Sequence, residues 1–550
     1  MSVRIVGSPR RSRGAIAAAS SLAAGVFCSA VLLGGGTAEA AGTPTLVPGD
    51  LLVSRVHYMG TADMITPGVT QLLTGVTAVA DGSFAHVWDN VSVDGNFGVT
   101  APIYLDQITS NGSPVSSIPV PAGTPGASSR GHNILMGSFS SKSELALNRS
   151  TGGSAVTFMG YVAPPNTLDA SNGNTPGVYD PTNPDAQSVY RAVGELDADG
   201  KFSFTETNAY SGDNGRAAIL DEGTGKYYTA GNSNNGEGTS VPGLIFGTGA
   251  QLVTPAHTPE AQQTPGAPTP VGGFSATQLP TVTKADKLGK DTNFAGVTIS
   301  NNVLYYTKGS GGNGIDTVYF VDTTGKACPT GVGLPVPGAP LPSSADAFDA
   351  TTGEPAHNMC VLAGFPTALA KSITTPEAGP VSNTTAFGGM WFANPTTLYV
   401  ADAGNGTDTF SGGSYTDAAA QTLAGIQKWS LVNGTWRYDY TLNAGLGLGQ
   451  PYSVDGLPSG TNTVTNRPWT PAVDGIRNLT GRVNSDGTVS LYGVTSSIGG
   501  VSDYGADPNK LVSITDDAAA ATLPSAERFT TLRTAAAGDV LRGVSFTPSR

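Results

Sequence analysis

A set of polar residues recurs at comparable places along the chain and could do chemistry together. Lys142 and Glu144 lie in SSKSELAL, Asp213, Asn214 and Arg216 in SGDNGRAA, and Asp291 and Asn293 in KDTNFAG. Arg477 and Asn478 lie in GIRNLTG, and Arg542 precedes Gly543 in LRGVSF. Each group sits at the entry to a short apolar strand-like run. Lysine and arginine recognise anionic and polar groups through charge-assisted hydrogen bonds, arginine as a fork. Gathered round one opening, these side chains would bind an anionic or polar ligand. The competing reading is structural: arginine and aspartate at strand entries also tie down neighbouring loops.

A second constellation is rich in oxygen ligands. Asp402, Asn405 and Asp408 fall in DAGNGTD, Asn313 and Asp316 in GNGID, and Asn232, Asn234 and Glu237 in GNSNNGEG. Such loops can hold Ca²⁺, which takes six to eight oxygens, although none matches the EF-hand pattern. Asparagine and aspartate are also ordinary turn formers. Motifs for other chemistry are missing: there is no G-x-S-x-G, H-E-x-x-H, C-x-x-C or phosphate-binding glycine loop. His57, His86, His132, His257 and His357 are scattered. Trp391 and Trp429 fall in strand-like runs and read as core; Trp88 and Trp469 fall in loops and could stack on a sugar or aromatic ring.

The elements that must position these residues repeat. SELALNRSTGGSAVTFMGY, GRAAILDEGTGKYYTAGN, FAGVTISNNVLYYTKG, FGGMWFANPTTLYVADAG and LTGRVNSDGTVSLYGVTS each pair a short apolar strand with a tight turn and a strand rich in aromatic and β-branched residues. Ala146, Ala217, Gly296, Gly389, Gly481 and Gly543 take equivalent small positions in these openings, as expected where innermost strands crowd a centre. A second hairpin follows each opening, as in AVGELDADGKFSFTETN, GLIFGTGAQLVTP and GIQKWSLVNGTWRYDYTL; in the fourth unit DTVYFVDTTG leads to a fourth strand at MCVLAG. The last strand-like segment, LRGVSFTP, opens a unit that the chain does not finish, while GDLLVSRV near the start has no opening. The expectation is therefore an all-β, six-bladed β-propeller of four-stranded blades, seven being the alternative count. The C-terminal strand pairs with the N-terminal strands to close it. Long links between second and third strands, and between units, would crowd one rim, where binding and catalysis usually sit.

Composition agrees with an all-β reading, since 74 Gly and 38 Pro favour turns and only 13% of residues are charged. Residues 1–40 read as a signal peptide. Arg4, Arg10, Arg11 and Arg13 form a basic front, Ala15 to Leu33 is small and apolar, and Ala38-Glu39-Ala40 is a cleavage site. Arg10-Arg11 hints at twin-arginine export, but the residues that follow suit a general signal better. Residues 41–550 read as one propeller domain. The net charge of −13 opposes binding to nucleic acid or an anionic membrane, and no later apolar run is long enough to span a bilayer. Cys328 and Cys360 read as a disulfide in an exported chain, closing a loop of about 33 residues worth roughly 3–4 kcal/mol; two free thiols are the alternative.

The runs SKSELALNRSTGGSAVTFMGY, FAGVTISNNVLYYTKGSGGNGIDTVYFVD, LYVADAGNGTDTF with GIQKW, and the closing LRGVSFTP resemble a family of exported bacterial propeller-like proteins, over most of the chain after the signal. The resemblance implies a fold and no particular activity. At fold level alone the pattern is similar to six-bladed NHL-type modules, calcium-dependent lactonases and phytases, although a phytase-like pocket would carry more Lys and Arg. The expected function is a secreted, periplasmic or cell-surface monomer that binds a small-molecule or polysaccharide ligand through its loop-rich face without catalysis. The alternative is a Ca²⁺-dependent hydrolase of lactonase, esterase or phosphatase type, with its site at the channel mouth.

Overall fold

The computed structural model describes residues 44–58, 99–121, 135–139, 144–167, 170–178, 188–233, 247–257, 268–283, 293–344, 357–373, 385–407, 409–457, 459–461, 467–498 and 507–550. The first strands are β1 (Leu51–His57), β2 (Val99–Ile108), β3 (Pro114–Pro119) and β4 (Met136–Phe139). β5 (Asn148–Arg149), β6 (Ala155–Tyr161), β7 (Arg191–Asp197) and β8 (Phe202–Thr207) follow. Next come β9 (Gly215–Asp221), β10 (Lys226–Gly231), β11 (Ala250–Val253) and β12 (Pro270–Gly272). β13 (Gly296–Ser300), β14 (Val303–Lys308), β15 (Thr317–Val321), β16 (Val332–Gly333) and β17 (Met359–Leu362) form the next group. β18 (Phe387–Asn394) and β19 (Thr397–Asp402) precede a small ribbon of β20 (Phe410–Ser411) and β21 (Ser414–Tyr415), then β22 (Gly425–Val432) and β23 (Thr435–Leu442). The chain ends with β24 (Val473–Val483), β25 (Thr488–Ser497), β26 (Lys510–Asp517), β27 (Thr530–Thr534) and β28 (Asp539–Phe546).

These strands form an all-β propeller arrangement. Tight turns join the first pair of most units. Asn301 and Asn302, at φ 48° and 61°, join β13 to β14 in the left-handed geometry that suits a two-residue hairpin. The expectation of six separate four-stranded blades is corrected. Four units stand as separate sheets, ordered β12-β11-β10-β9, β13-β14-β15-β17-β16, β18-β19-β22-β23 and β24-β25-β26-β27. The first and second units are fused in one nine-stranded sheet. β4 makes the fusion: it pairs with Val99–Pro102 at the start of β2 and meets Tyr161 of β6 through Met136. The third unit also differs from expectation. Its third strand is Ala250–Val253, and its fourth, Pro270–Gly272, lies beyond a proline-containing stretch; residues 243–246, expected to be a strand, lie outside the described residues. The fourth unit does recruit Met359–Leu362, and the Cys328–Cys360 disulfide ties the excursion before it to that strand, with Cα atoms 5.5 Å apart.

β28 pairs antiparallel with β1, from Leu51 opposite Phe546 to His57 opposite Asp539. Both strands are buried over most of their length. A charge network crosses the same junction. Asp106 accepts from Arg55 Nε at 2.7 Å and from Arg533 Nη1 at 2.7 Å, and Arg55 Nη1 reaches Asp539 at 3.0 Å. Burial raises the Asp106 pKa, but Arg55, Ser117 and Arg533 outweigh it and hold the group below the usual carboxylate range.

The first strands of successive units lie against one another. β28 touches β5 and β24, β9 touches β5 and β13, and β18 touches β13 and β24. Small residues permit the approach. A Cβ on Gly543 would meet Leu145 O and Leu147 N at 2.5 Å each, and one on Gly388 would meet Arg477 O at 2.2 Å. These obstacles are backbone and cannot swing aside. Between the sheets lie apolar layers; Phe365 stacks on Trp429 with centroids 4.0 Å apart. Trp429 is core as expected, and Trp391 is half-buried; Trp88 lies outside the described residues.

Gly543→Ala should therefore cost about 1–3 kcal/mol in urea unfolding through overpacking. Gly312→Ala, whose Cβ meets nothing within 4 Å, should stay within about 0.5 kcal/mol of the parent. Equal effects of the two would show that the close approach at Gly543 is not limiting.

Candidate functional site

Several polar side chains meet at one end of the fused sheet, where its innermost strands begin and its second strand ends. β6 stops at Tyr161, before Ala163 and two prolines that cannot continue a ladder. β7 restarts at Arg191, Asp213 and Asn214 lead into β9, Glu144 lies just before β5, and Arg542 is midway along β28. Glu144, Tyr161, Arg191, Asn214 and Arg542 are all buried.

Their bonding is uneven. Glu144 Oε1 accepts from the Ser138 amide at 2.6 Å, and Arg542 Nη2 donates to the Ser138 carbonyl at 3.1 Å, so one residue of β4 bridges the acid and the base. Arg191 donates to main-chain carbonyls: Asp213 at 3.0 Å from Nε, Val189 at 2.6 Å, and Ser171 and Gly173 at 2.9 Å each. Its guanidinium lies 5.2 Å from the Tyr161 ring centroid. Asp213 accepts from Asn232 Nδ2 at 2.6 Å. Two buried atoms, Glu144 Oε2 and Tyr161 Oη, have no hydrogen-bond partner among the described residues. Burial pushes the Tyr161 hydroxyl well above its usual pKa, and Glu144 adds to the shift while Arg191 opposes it. Burial lowers the pKa of Arg542, against the pull of Glu144. The cluster thus offers a neutral phenol, a carboxylate with a spare oxygen and two guanidinium groups in a desolvated setting, where a hydrogen bond to a ligand is stronger than in water.

The other sequence candidates are dispersed, and most hold the fold. Arg216 donates to Asn293 Oδ1 and to the Phe294 carbonyl at 3.3 Å, bolting β9 to the entry of β13. Asn478 Oδ1 accepts from the Val544 amide at 2.8 Å, tying β24 to β28, and the Arg477 carbonyl lies where a side chain on Gly388 would fall. Lys142, Asp291 and Asp408 lie outside the described residues. Asp402, read as a metal ligand, is fully buried: its Oδ1 accepts from the amides of Ala386 at 3.1 Å and Gly404 at 3.0 Å, and its Oδ2 from Gln427 Nε2 at 2.8 Å. Three N–H dipoles stand where a cation would. Asn405 Oδ1 is buried without a partner among the described residues. Asp316 is engaged by Lys308 Nζ at 2.6 Å. Among the described residues, Asp322, Cys328 and Cys360 are the group of three with metal-ligating atoms close together, and the disulfide takes both sulfurs out of thiolate chemistry.

Tyr161 and Arg191 were not among the residues singled out from sequence. Arg191 is the one arginine between Arg149 and Arg216, and Tyr161 is the aromatic that closes a strand before Pro164-Pro165; those were the available signals. Tyr161 reads as core by type, and only its orphaned hydroxyl marks it as something more.

No family model matches the chain, and no curated protein matches it. Among solved structures, it aligns with the periplasmic gluconolactonase of Pseudomonas aeruginosa at 10% identity, over 88% of this chain and 83% of that one, with a TM-score of 0.30. A protein from Lactobacillus plantarum aligns at 9% identity over 88% and 82%, with a TM-score of 0.29. The N-terminal domain of Nup159 aligns at 10% identity over 91% and 96%, with a TM-score of 0.24. Superpositions this loose carry no argument about activity, and the fold rests on the strand pairings above.

Asp402 supplies a test of its own. Burial pushes its pKa up to about 7, against three N–H donors that pull it down. The folded chain therefore holds this proton more tightly than the unfolded chain does. Its contribution to stability is complete below about pH 4 and is lost as pH rises through about 7, by about 1.4 kcal/mol per pH unit at most. Asp402→Asn should flatten the decline of unfolding free energy between about pH 4 and pH 7. An unchanged slope in urea titrations would assign that decline to other groups.

Proposed function

We propose that the chain is an exported β-propeller that binds a hydroxyl-bearing ligand, a small molecule or the end of a polysaccharide, at the rim where Glu144, Tyr161, Arg191 and Arg542 gather. The propeller reading is supported by the unbroken circuit of contacts from β28 through β5, β9, β13, β18 and β24 back to β28. In this reading the β1–β28 ladder closes the ring. Residues 1–40 act as the export signal. The Cys328–Cys360 disulfide supports this, since such bonds persist in oxidising compartments. No helix among the described residues is long and apolar enough to cross a membrane.

The ligand reading rests on one observation, the pair of orphaned atoms Glu144 Oε2 and Tyr161 Oη. A buried polar atom without a partner costs about 1–3 kcal/mol. A ligand hydroxyl satisfies both atoms, donating to the carboxylate and accepting from the phenol. Arg191 and Arg542 add positive potential that favours electron-rich ligands. Ca²⁺-dependent hydrolysis is the second reading. It is favoured by Asn405 Oδ1 alone, since Asp402 is already saturated by N–H donors.

Tyr161→Phe separates a binding role from a structural one. Removing an orphaned hydroxyl should stabilise the unliganded protein by about 1 kcal/mol, yet weaken a ligand that uses it by about 3- to 10-fold. A thermal-shift panel of polyols, uronic acids and sugar lactones gives the readout, with Glu144→Gln as the second variant. A ligand that stabilises both variants as well as the parent does not use this cluster. Calorimetric titration with Ca²⁺ decides the second reading: heat that saturates, and that Asn405→Ala abolishes, would support it. Sequencing of exported protein should begin at Ala41.

A further inference from the structure

A polar groove of about 410 Å³ lies away from the rim just described, between the last sheet and the turn that joins β2 to β3. Its floor is a face of three strands in register. Tyr492 of β25, Ser513 of β26 and Thr530 of β27 form one cross-strand row, and Ser490 with Thr515 forms the next. Ser110, from the β2–β3 turn, supplies the opposite wall. That turn is seated over the last sheet: Gly112, at φ 93°, leaves room for Leu532, whose carbonyl a Cβ would meet at 3.0 Å. Both ends of the chain therefore build the groove.

The lining has a definite chemical character. No hydrogen bond among the described residues occupies the hydroxyls of Ser110, Ser513, Thr515 or Thr530. Each can donate one hydrogen bond and accept others. Glu527 also lines the groove; its Oε1 accepts from the Asp517 amide at 2.9 Å, and its carboxyl is hydrogen-bonded to that of Asp516. Burial, together with the hydrogen bond to Asp516 and that neighbour's charge, pushes Glu527 up to about 7. Tyr492 sets an aromatic ring at the base, fixed edge-on against Phe546 with centroids 5.7 Å apart. Arg528 is the basic residue at the edge.

We infer that this groove is a second binding site, for a neutral saccharide. A wall of free hydroxyls that donate and accept, with one ring and little net charge, matches the mixed donor–acceptor surface of a sugar. It suits poorly an anion, which needs several cations, or an apolar ligand, which would leave the hydroxyls unsatisfied.

Isothermal titration of the full chain with cellobiose and with maltose tests this, with glucuronate as the charged comparison. At least one disaccharide should bind saturably and more tightly than glucuronate. Thr515 is exposed on its strand, so Thr515→Trp should fill the groove without touching the core and abolish the heat. Ser513→Ala and Thr515→Ala should each weaken binding by about 3- to 10-fold. Tyr161→Phe should leave this binding unchanged, which keeps it separate from the rim site. Saturable binding by neither disaccharide, tighter binding of glucuronate, or binding that survives Thr515→Trp would each overturn the inference.

Discussion

The antiparallel ladder between Leu51–His57 and Asp539–Phe546 is the constraint on which the rest of the molecule depends. It joins the two ends of the described chain, and its strands are buried on both faces. The entropy of closing so long a loop grows only with the logarithm of its length, so a single well-packed ladder with its ion network can hold it. The network is itself built from both ends: Arg55 and Asp106 come from the first strands, Arg533 and Asp539 from the last. Arg542 reaches Ser138, 404 residues away in sequence, only because β28 lies beside β1. The rim cluster and the hydroxyl groove share this dependence.

Close approach of the innermost strands imposes a second constraint. Where strands of different sheets meet without forming a ladder, their main-chain groups still need partners. Side chains supply them. Asn478 Oδ1 takes the Val544 amide, Asn148 Nδ2 and Thr157 Oγ1 both donate to the Ala218 carbonyl, Thr307 Oγ1 donates to Gly388, and Ser54 Oγ to Leu145. This explains why polar residues recur at strand entries for reasons unrelated to a ligand. The same residue types at the same positions serve as bolts in most units. In the fused sheet they leave a surplus: a carboxylate oxygen and a phenol without partners among the described residues.

The fused sheet differs from the other units for a local reason. β2 is long enough, at ten residues, to pair along most of its length with β1 and β3 and still offer its first four residues to β4. β4 carries Ser138, whose amide and carbonyl organise Glu144 and Arg542. The strap that departs from a regular repeat is thus the strap that assembles the cluster. Asp402 shows the contrary case, a carboxylate in a glycine-rich loop that looks like a cation ligand in sequence and is an anchor for two amides and a glutamine in space.

What the residues alone determined was the β character, the repeated openings, the small positions at the centre, the Cys328–Cys360 pair and the pairing of LRGVSFTP with the first strands. Each follows from local alternation, from turn chemistry, or from an unfinished unit at one end that needs the other. The sequence did not determine that the first two units share one sheet, because Met136–Phe139 is a four-residue strand whose partner lies on the far side of a long link. Nor could it sort ligands from bolts, since an arginine or asparagine at a strand entry has the same local signature in either role. That distinction depends on whether a main-chain carbonyl or amide from a distant strand arrives within hydrogen-bonding reach. Only the tertiary structure sets that distance: it brings two amides and a glutamine to Asp402 and, among the described residues, no partner to Glu144 Oε2 or the Tyr161 hydroxyl.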